Sequence, residues 1–281
     1  MKLRRLVPHV LVTFSLCCLG RFALAETQGQ GVVQAQVVLT PSESKTLIAK
    51  AVAEMPIVKH ALANGMVIIA KGTTNTYVAE ALTGTDVPHG AYVYGRTYPA
   101  KGGKQLPEIE SIDEIVLIKG ETQRDLALED AVKLLKPGDV VIKGANALDY
   151  ENKTAGVLIG SSTGGTSGKI MPYVVARKAH LVVPVGLEKQ IAGRVLDVAN
   201  KMREPVESLH DIPSMFLYTG HIVTEIEALD LLAGVSAFQA AAGGIGGAEG
   251  AVRLVCRGTR EQVEKALAVV EAIQGEPPFV Q

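Results

Sequence analysis

Gly72, Thr73 and Thr74 lie between an apolar run, "MVIIA" (66–70), and a helical pattern, "TYVAEAL" (76–82). A glycine at such a hinge lets the backbone turn tightly and leaves room for a ligand to approach the amides. Hydroxyls at the start of a helix add donors where the N–H groups are unpaired and the dipole is positive, which is the chemistry of anion capture. A charge-assisted hydrogen bond contributes about 1.5–3 kcal/mol, so several donors meeting on one phosphate or carboxylate make a site. A threonine in this place can equally do no more than cap its own helix.

Two glycine-rich stretches invite a nucleotide reading and fail it. In "SSTGGTSGKI" (161–170), Thr163 stands where a P-loop needs its first glycine, and Ile170 replaces the required hydroxyl. Ser161, Ser162 and Lys169 stay as candidates by position alone, because ligands of parallel sheets sit at the carboxyl ends of the strands. In "GGIGGAEG" (243–250), Glu249 takes the last glycine's place and a strand follows, so a hairpin turn is expected. His60, His89, His180, His210 and His221 are scattered, and no Cys or His pair has metal-ligand spacing. Neither a metal nor a cofactor is expected.

The elements that must position these residues are legible from periodicity. Strand-like segments at 66–70, 114–120, 140–146 and 180–186, each built on an apolar run that does not alternate with polar residues, take turns with helical patterns, which implies a mostly parallel sheet covered by helices on both faces. Thr40, Pro41 and Glu43 make a capping box for the first helix. Residues 86–110 hold four Gly and three Pro and are expected to be irregular. The texture changes beyond Met215: a helix, two strands around the glycine-rich turn, and an amphipathic helix capped by Thr259 and Gln262. The expected organisation is an α/β ligand-binding domain at 40–205 and a smaller α+β subdomain at 214–281.

"MKLRR", an apolar "VLVTFSLCCLG" and "ALA" follow the order of a secretory leader cleaved after Ala25, too short to span a membrane. A polar lead-in occupies 26–39. Export to the periplasm or the exterior is the expectation, with a cytoplasmic body behind a misplaced start as the alternative. Cys256, the single cysteine after the leader, fits the second. The chain carries 28 basic and 29 acidic residues, with 4% aromatics and no Trp, which disfavours nucleic-acid and membrane-surface partners. A small anionic metabolite is the expected partner, and a homo-oligomer stays open.

Three stretches resemble one superfamily. "NGMVIIAKGTTNTYVAEAL" is similar to the strand, Gly-Thr-Thr and helix opening the sugar-binding domain of DeoR-type regulators, and to the matching loop of ribose-5-phosphate isomerase. "GDVVIKGANALD" (138–149) resembles those families' second landmark, and "HLVVPVGLEKQIAG" (180–193) the third, a strand followed by a ligand-reaching lysine. Over residues 60–195 the order agrees with the ribose-5-phosphate isomerase, glucosamine-phosphate deaminase and CoA-transferase-like superfamily. The resemblance implies that Gly72, Thr73 and Thr74 cradle phosphate, that Lys189 supplies a charge, and that Asn146 and Asp149 line the sugar end.

The departures bear on chemistry. Lys143 and Asn146 stand where the isomerase has two aspartates for proton transfer, and an amide is no general base. Lys71 replaces a small residue before the glycine. Lys143 and Asp149 remain the candidate catalytic groups, with a plain turn role equally open for Asp149. Two readings result: an isomerase-like protein acting on a phosphorylated or carboxylated metabolite, and a non-catalytic ligand-binding or assembly protein that kept the fold and lost the acids. A CoA transferase, with Glu249 as its nucleophile, is a distant third.

Overall fold

The computed structural model of the chain describes residues 31–95, 97–101 and 109–279; the expected leader lies outside them. Residues 33–39 are more than a lead-in. They form β1 (Val33–Leu39), whose alternating inward Ala35, Val37 and Leu39 pair it with a late strand. Thr40 then caps α1 (Pro41–Glu54) through a complete capping box with Glu43. Next come α2 (Pro56–Asn64), β2 (Met66–Ile69) and α3 (Thr73–Thr83). The irregular excursion leads to the hairpin of β3 (Ile115–Ile118) and β4 (Glu121–Thr122), then α4 (Leu128–Leu134) and β5 (Val140–Ile142).

The second half contains β6 (Ala147–Asp149), β7 (Thr154–Ile159), α5 (Gly165–Arg177) and β8 (His180–Pro184). A 3₁₀ turn at Leu187–Lys189 precedes α6 (Val195–Lys201), β9 (Ser214–Thr219), β10 (His221–Val223) and α7 (Glu225–Ala233). The chain closes with β11 (Ser236–Ala242), β12 (Val252–Gly258) and α8 (Arg260–Glu271).

The fold is α/β. A central six-stranded sheet has the order β10-β8-β5-β2-β3-β4 and is flanked by helices. Its first four strands are parallel, and β3 and β4 are antiparallel. β3 runs antiparallel to β2, with its first residue, Ile115, opposite the last residue of β2, Ile69. All four residues of β2 and all three of β5 are buried, as continuous apolar runs in a doubly covered sheet should be.

Two smaller antiparallel sheets, β1-β12-β11 and β6-β7-β9, complete the architecture. Residues 214–281 thus give β9 to one small sheet, β10 to the edge of the central sheet, and β11 and β12 to the sheet begun by β1. The "GGIGGAEG" segment is the connection between β11 and β12, as expected. Gly165 to Lys169 of the "SSTGGTSGKI" stretch belong to the start of α5. Among the described residues no helix is long and apolar enough to cross a membrane.

Tyr92, fully buried within the irregular excursion, holds the two halves of the sheet in register. Its hydroxyl donates to the Ile69 carbonyl and accepts from the Ile115 N–H at 2.9 Å, bridging β2 and β3. Its own carbonyl accepts from the Gly72 N–H at 2.9 Å, so the same residue seats the hinge after β2. Tyr92→Phe removes the donor to the buried Ile69 carbonyl and the acceptor of the part-buried Ile115 N–H, and should cost about 1–3 kcal/mol of stability, read as a lower urea midpoint with an unchanged m-value.

Candidate functional site

β2 and β5 are neighbours, but the chain leaves β2 toward β3 on one side and returns to β5 on the other. A crevice therefore forms beyond their carboxyl ends, the expected ligand position in an open α/β sheet. There the structure has a cleft of about 960 Å³. The segment after β2 (71–75), the segment after β5 (143–146), the end of β7, the first turn of α5 and Lys189 all line it.

Two helices point their amino ends at this space. Gly72 precedes α3 with no side-chain cap, and Thr73, Thr74 and Asn75 of its first turn line the cleft. Gly165, Thr166 and Ser167 do the same for α5, again without a side-chain cap. Unpaired N–H groups and the positive ends of both dipoles thus meet on one volume. The backbone at Gly72 is extended (φ 164°), which any residue adopts, so a tight turn is not the reason for glycine. Its use is openness: a Cβ there would find nothing nearer than 3.9 Å, and that empty face exposes the amides.

Three lysines carry the charge. Lys71 is buried, donates to Ser111 Oγ at 3.1 Å and lies 4.4 Å from the Tyr94 ring centroid. Lys143 follows β5 directly, and its Nζ makes one weak contact, 3.3 Å to the Gly144 carbonyl. Burial, then the Lys189 charge, pulls its pKa down to about 8, while Glu114 opposes the shift. Lys189 donates to the Ala145 carbonyl at 3.0 Å. Burial lowers its pKa too, but Glu188 and fully buried Glu225 behind it favour its charge.

Gly72, Thr73, Thr74, Asn146 and Lys189 are brought together on the cleft, as are Lys71, Lys143, Ser161 and Lys169. Asn146 sits at the exposed rim, where its Oδ1 accepts from the Leu158 N–H at 3.0 Å, so its Nδ2 is the donor it presents. Lys169 forms an exposed ion pair with Glu129. Ser162 is exposed and outside the lining. Asp149 is buried away from the cleft, its carboxylate accepting from the Asn152 N–H at 3.1 Å and from Asn152 Nδ2 at 2.9 Å. That is the geometry of a turn, with no route to a ligand in this cleft. Among the described residues no group of three His, Cys, Asp or Glu is placed to hold a metal ion.

Sequence reasoning missed Glu114 and Asn75. Glu114 lines the cleft and is the one carboxylate among the described groups acting on the Lys143 ammonium. It stands just ahead of β3, after a segment with no motif to mark it. Asn75 is wholly buried, its Nδ2 donating to the Ala70 carbonyl at 2.6 Å and the Ile142 carbonyl at 3.3 Å. Its Oδ1 is buried without a partner among the described residues. The signal was present, since a polar side chain inside the strand-to-helix hinge has to answer for its burial.

Comparison with protein-family models, curated proteins and solved structures finds no match. The geometry of the cleft therefore carries the functional argument.

Because folding lowers the Lys143 pKa to about 8 from an unfolded value near 10.4, its buried charge destabilises the fold fully below pH 8. The unfolded chain binds the extra proton between those values, so this penalty fades as pH rises through them. Lys143→Met should raise the melting temperature by several degrees at pH 7. The gain should shrink steadily between pH 8 and 10, as measured by calorimetric scans across that range.

Proposed function

We propose that the cleft binds a small anionic metabolite, phosphorylated or carboxylated, and acts on it as an isomerase-like enzyme. The observation that carries this reading is the convergence of Lys71, Lys143 and Lys189 with two helix amino ends on a single cleft. Each exposed dipole contributes only about 0.3–1 kcal/mol. The lysines add charge-assisted donors in a partly buried space where Coulomb attraction is stronger than in water. Glu114 supplies a carboxylate able to move a proton, which the residues at the isomerase's aspartate positions do not.

A second reading, a ligand-binding or assembly protein without turnover, is favoured by one observation. Lys143 and Asn146 occupy those aspartate positions, and Asp149 is spent on its own turn. The CoA-transferase alternative gains nothing, since Glu249 is outside the cleft lining and accepts from the Gly247 N–H in the β11–β12 connection.

Calorimetric titration against sugar phosphates, nucleotides, CoA esters and dicarboxylates tests the proposal. Affinity for the best anion should fall at least tenfold in a Thr73→Val, Thr74→Val double variant, and unchanged affinity would place the site elsewhere. Sulfate, which does not titrate in this range, should bind more weakly as pH rises through about 8 and Lys143 loses its proton. The resemblance favours sugar phosphates; an exported chain would instead meet carboxylates, so the dicarboxylate arm bears on compartment as well as on chemistry.

A further inference from the structure

Lys143 differs from the other lysines of the cleft in what surrounds its amine. Lys71 is held by the Ser111 hydroxyl and the face of Tyr94. Lys189 reaches the Ala145 carbonyl at 3.0 Å, and the Glu188 and Glu225 carboxylates work against the burial and the Lys45 charge that lower its pKa. Among the described residues Lys143 finds no ion-pair partner; its Nζ touches only its neighbour's carbonyl at 3.3 Å, at the outer limit of a hydrogen bond. It directly follows β5, one of the two inner strands of the parallel set, lines the cleft and lies beside a second positive charge. A structural lysine would be paired or would reach bulk water. Holding one among its like at the base of an open cleft costs stability, and it leaves an amine that deprotonates within reach of neutral pH.

We propose that Lys143 is an amine nucleophile that forms an imine with the carbonyl carbon of an anionic aldehyde or ketone bound in the cleft. The inference rests on the anion-binding reading above and narrows its substrate class to anions carrying a carbonyl group. The Lys143 lone pair attacks the carbonyl carbon, a C–N bond forms, and the C=O π pair moves to oxygen. The nitrogen gives up a proton and the oxygen gains one, giving a carbinolamine. Protonation of that hydroxyl and loss of water, with a second proton leaving the nitrogen, yields the neutral C=N bond. Glu114, the carboxylate that acts on Lys143, is the group on hand to carry these protons. Lys71, Lys189 and the first turn of α3 hold the substrate's anionic end, leaving its carbonyl toward Lys143. No oxidant, metal or further reactant enters the balance.

Reductive trapping decides it. The full chain is incubated at pH 8 with pyruvate, or in a parallel arm with dihydroxyacetone phosphate, in the presence of cyanoborohydride, and the adduct is mapped by peptide mass spectrometry. Acetone serves as the uncharged control. The expected result is one adduct per chain on Lys143, formed at least tenfold faster than on exposed lysines such as Lys59 or Lys133. Sulfate should slow it and acetone should not give it. Lys143→Arg, whose guanidinium is no nucleophile at this pH, should abolish the adduct. Labelling spread evenly over surface lysines, or no adduct on Lys143 while sulfate still binds, overturns the imine and leaves anion binding standing. Absence of both adduct and anion binding overturns the two together. The wild-type adduct map is decisive even if the arginine variant fails to fold.

Discussion

The side chain of Asn75 ties the ends of two parallel strands together. One Nδ2 group donates to the carbonyls of Ala70 and Ile142, the last positions before the two lysines that follow β2 and β5. The Ala70 N–H reaches the same Ile142 carbonyl at 2.9 Å. The clamp therefore sets the spacing from which Lys71 and Lys143 project. Its cost is an unpartnered carbonyl oxygen in a buried place, a few kcal/mol at most by the usual desolvation figures. Without it the strand ends could part, and the like charges beyond them would favour that parting.

Electrostatics explains why such a clamp is needed. The chain as a whole is close to neutral, with a formal charge of −1, so the cleft is not part of a general basic surface. Its positive character is local and is built by burial. Lys143 and Lys189 are each pushed toward the neutral form by loss of water, and each stands near another ammonium. An anion arriving between them would remove the repulsion and restore their usual protonation.

Stability is secured at the other end of the sheet. Asp139, ahead of β5, accepts from the Met66 N–H at 2.8 Å and the Lys136 N–H at 2.7 Å, while its own carbonyl accepts from the His180 N–H. It thereby joins the starts of β2, β5 and β8. The nearby second cleft, lined by His60, Asn64 and Asp139 among others, lies at this amino-terminal end, where parallel strands seldom place chemistry. Tyr92 connects the two tasks, fixing β3 against β2 with its hydroxyl and seating Gly72 with its carbonyl.

The sequence by itself determined what local periodicity and capping control. "MVIIA", "VVIKGAN" and "HLVVPVG" read as buried parallel strands because each contains an unbroken apolar run, and Thr40 with Glu43, or Thr259 with Gln262, fixes where helices start. Those strands carry their following residues to one edge of the sheet, so Gly72 to Thr74, Lys143 and Lys189 were readable as neighbours. What the sequence left open is what long-range contact settles. The antiparallel pairing of β3 with β2 joins residues far apart in the chain, and it stands Glu114 at the cleft. Asp149 and Asn146 are equally plausible ligands on paper, and only hydrogen bonds to Asn152 and Leu158 separate the turn residue from the rim residue. Tertiary structure alone decided that Lys143 would be half-buried beside another lysine, because a pKa depends on excluded water and neighbouring charge, and neither is written in adjacent residues.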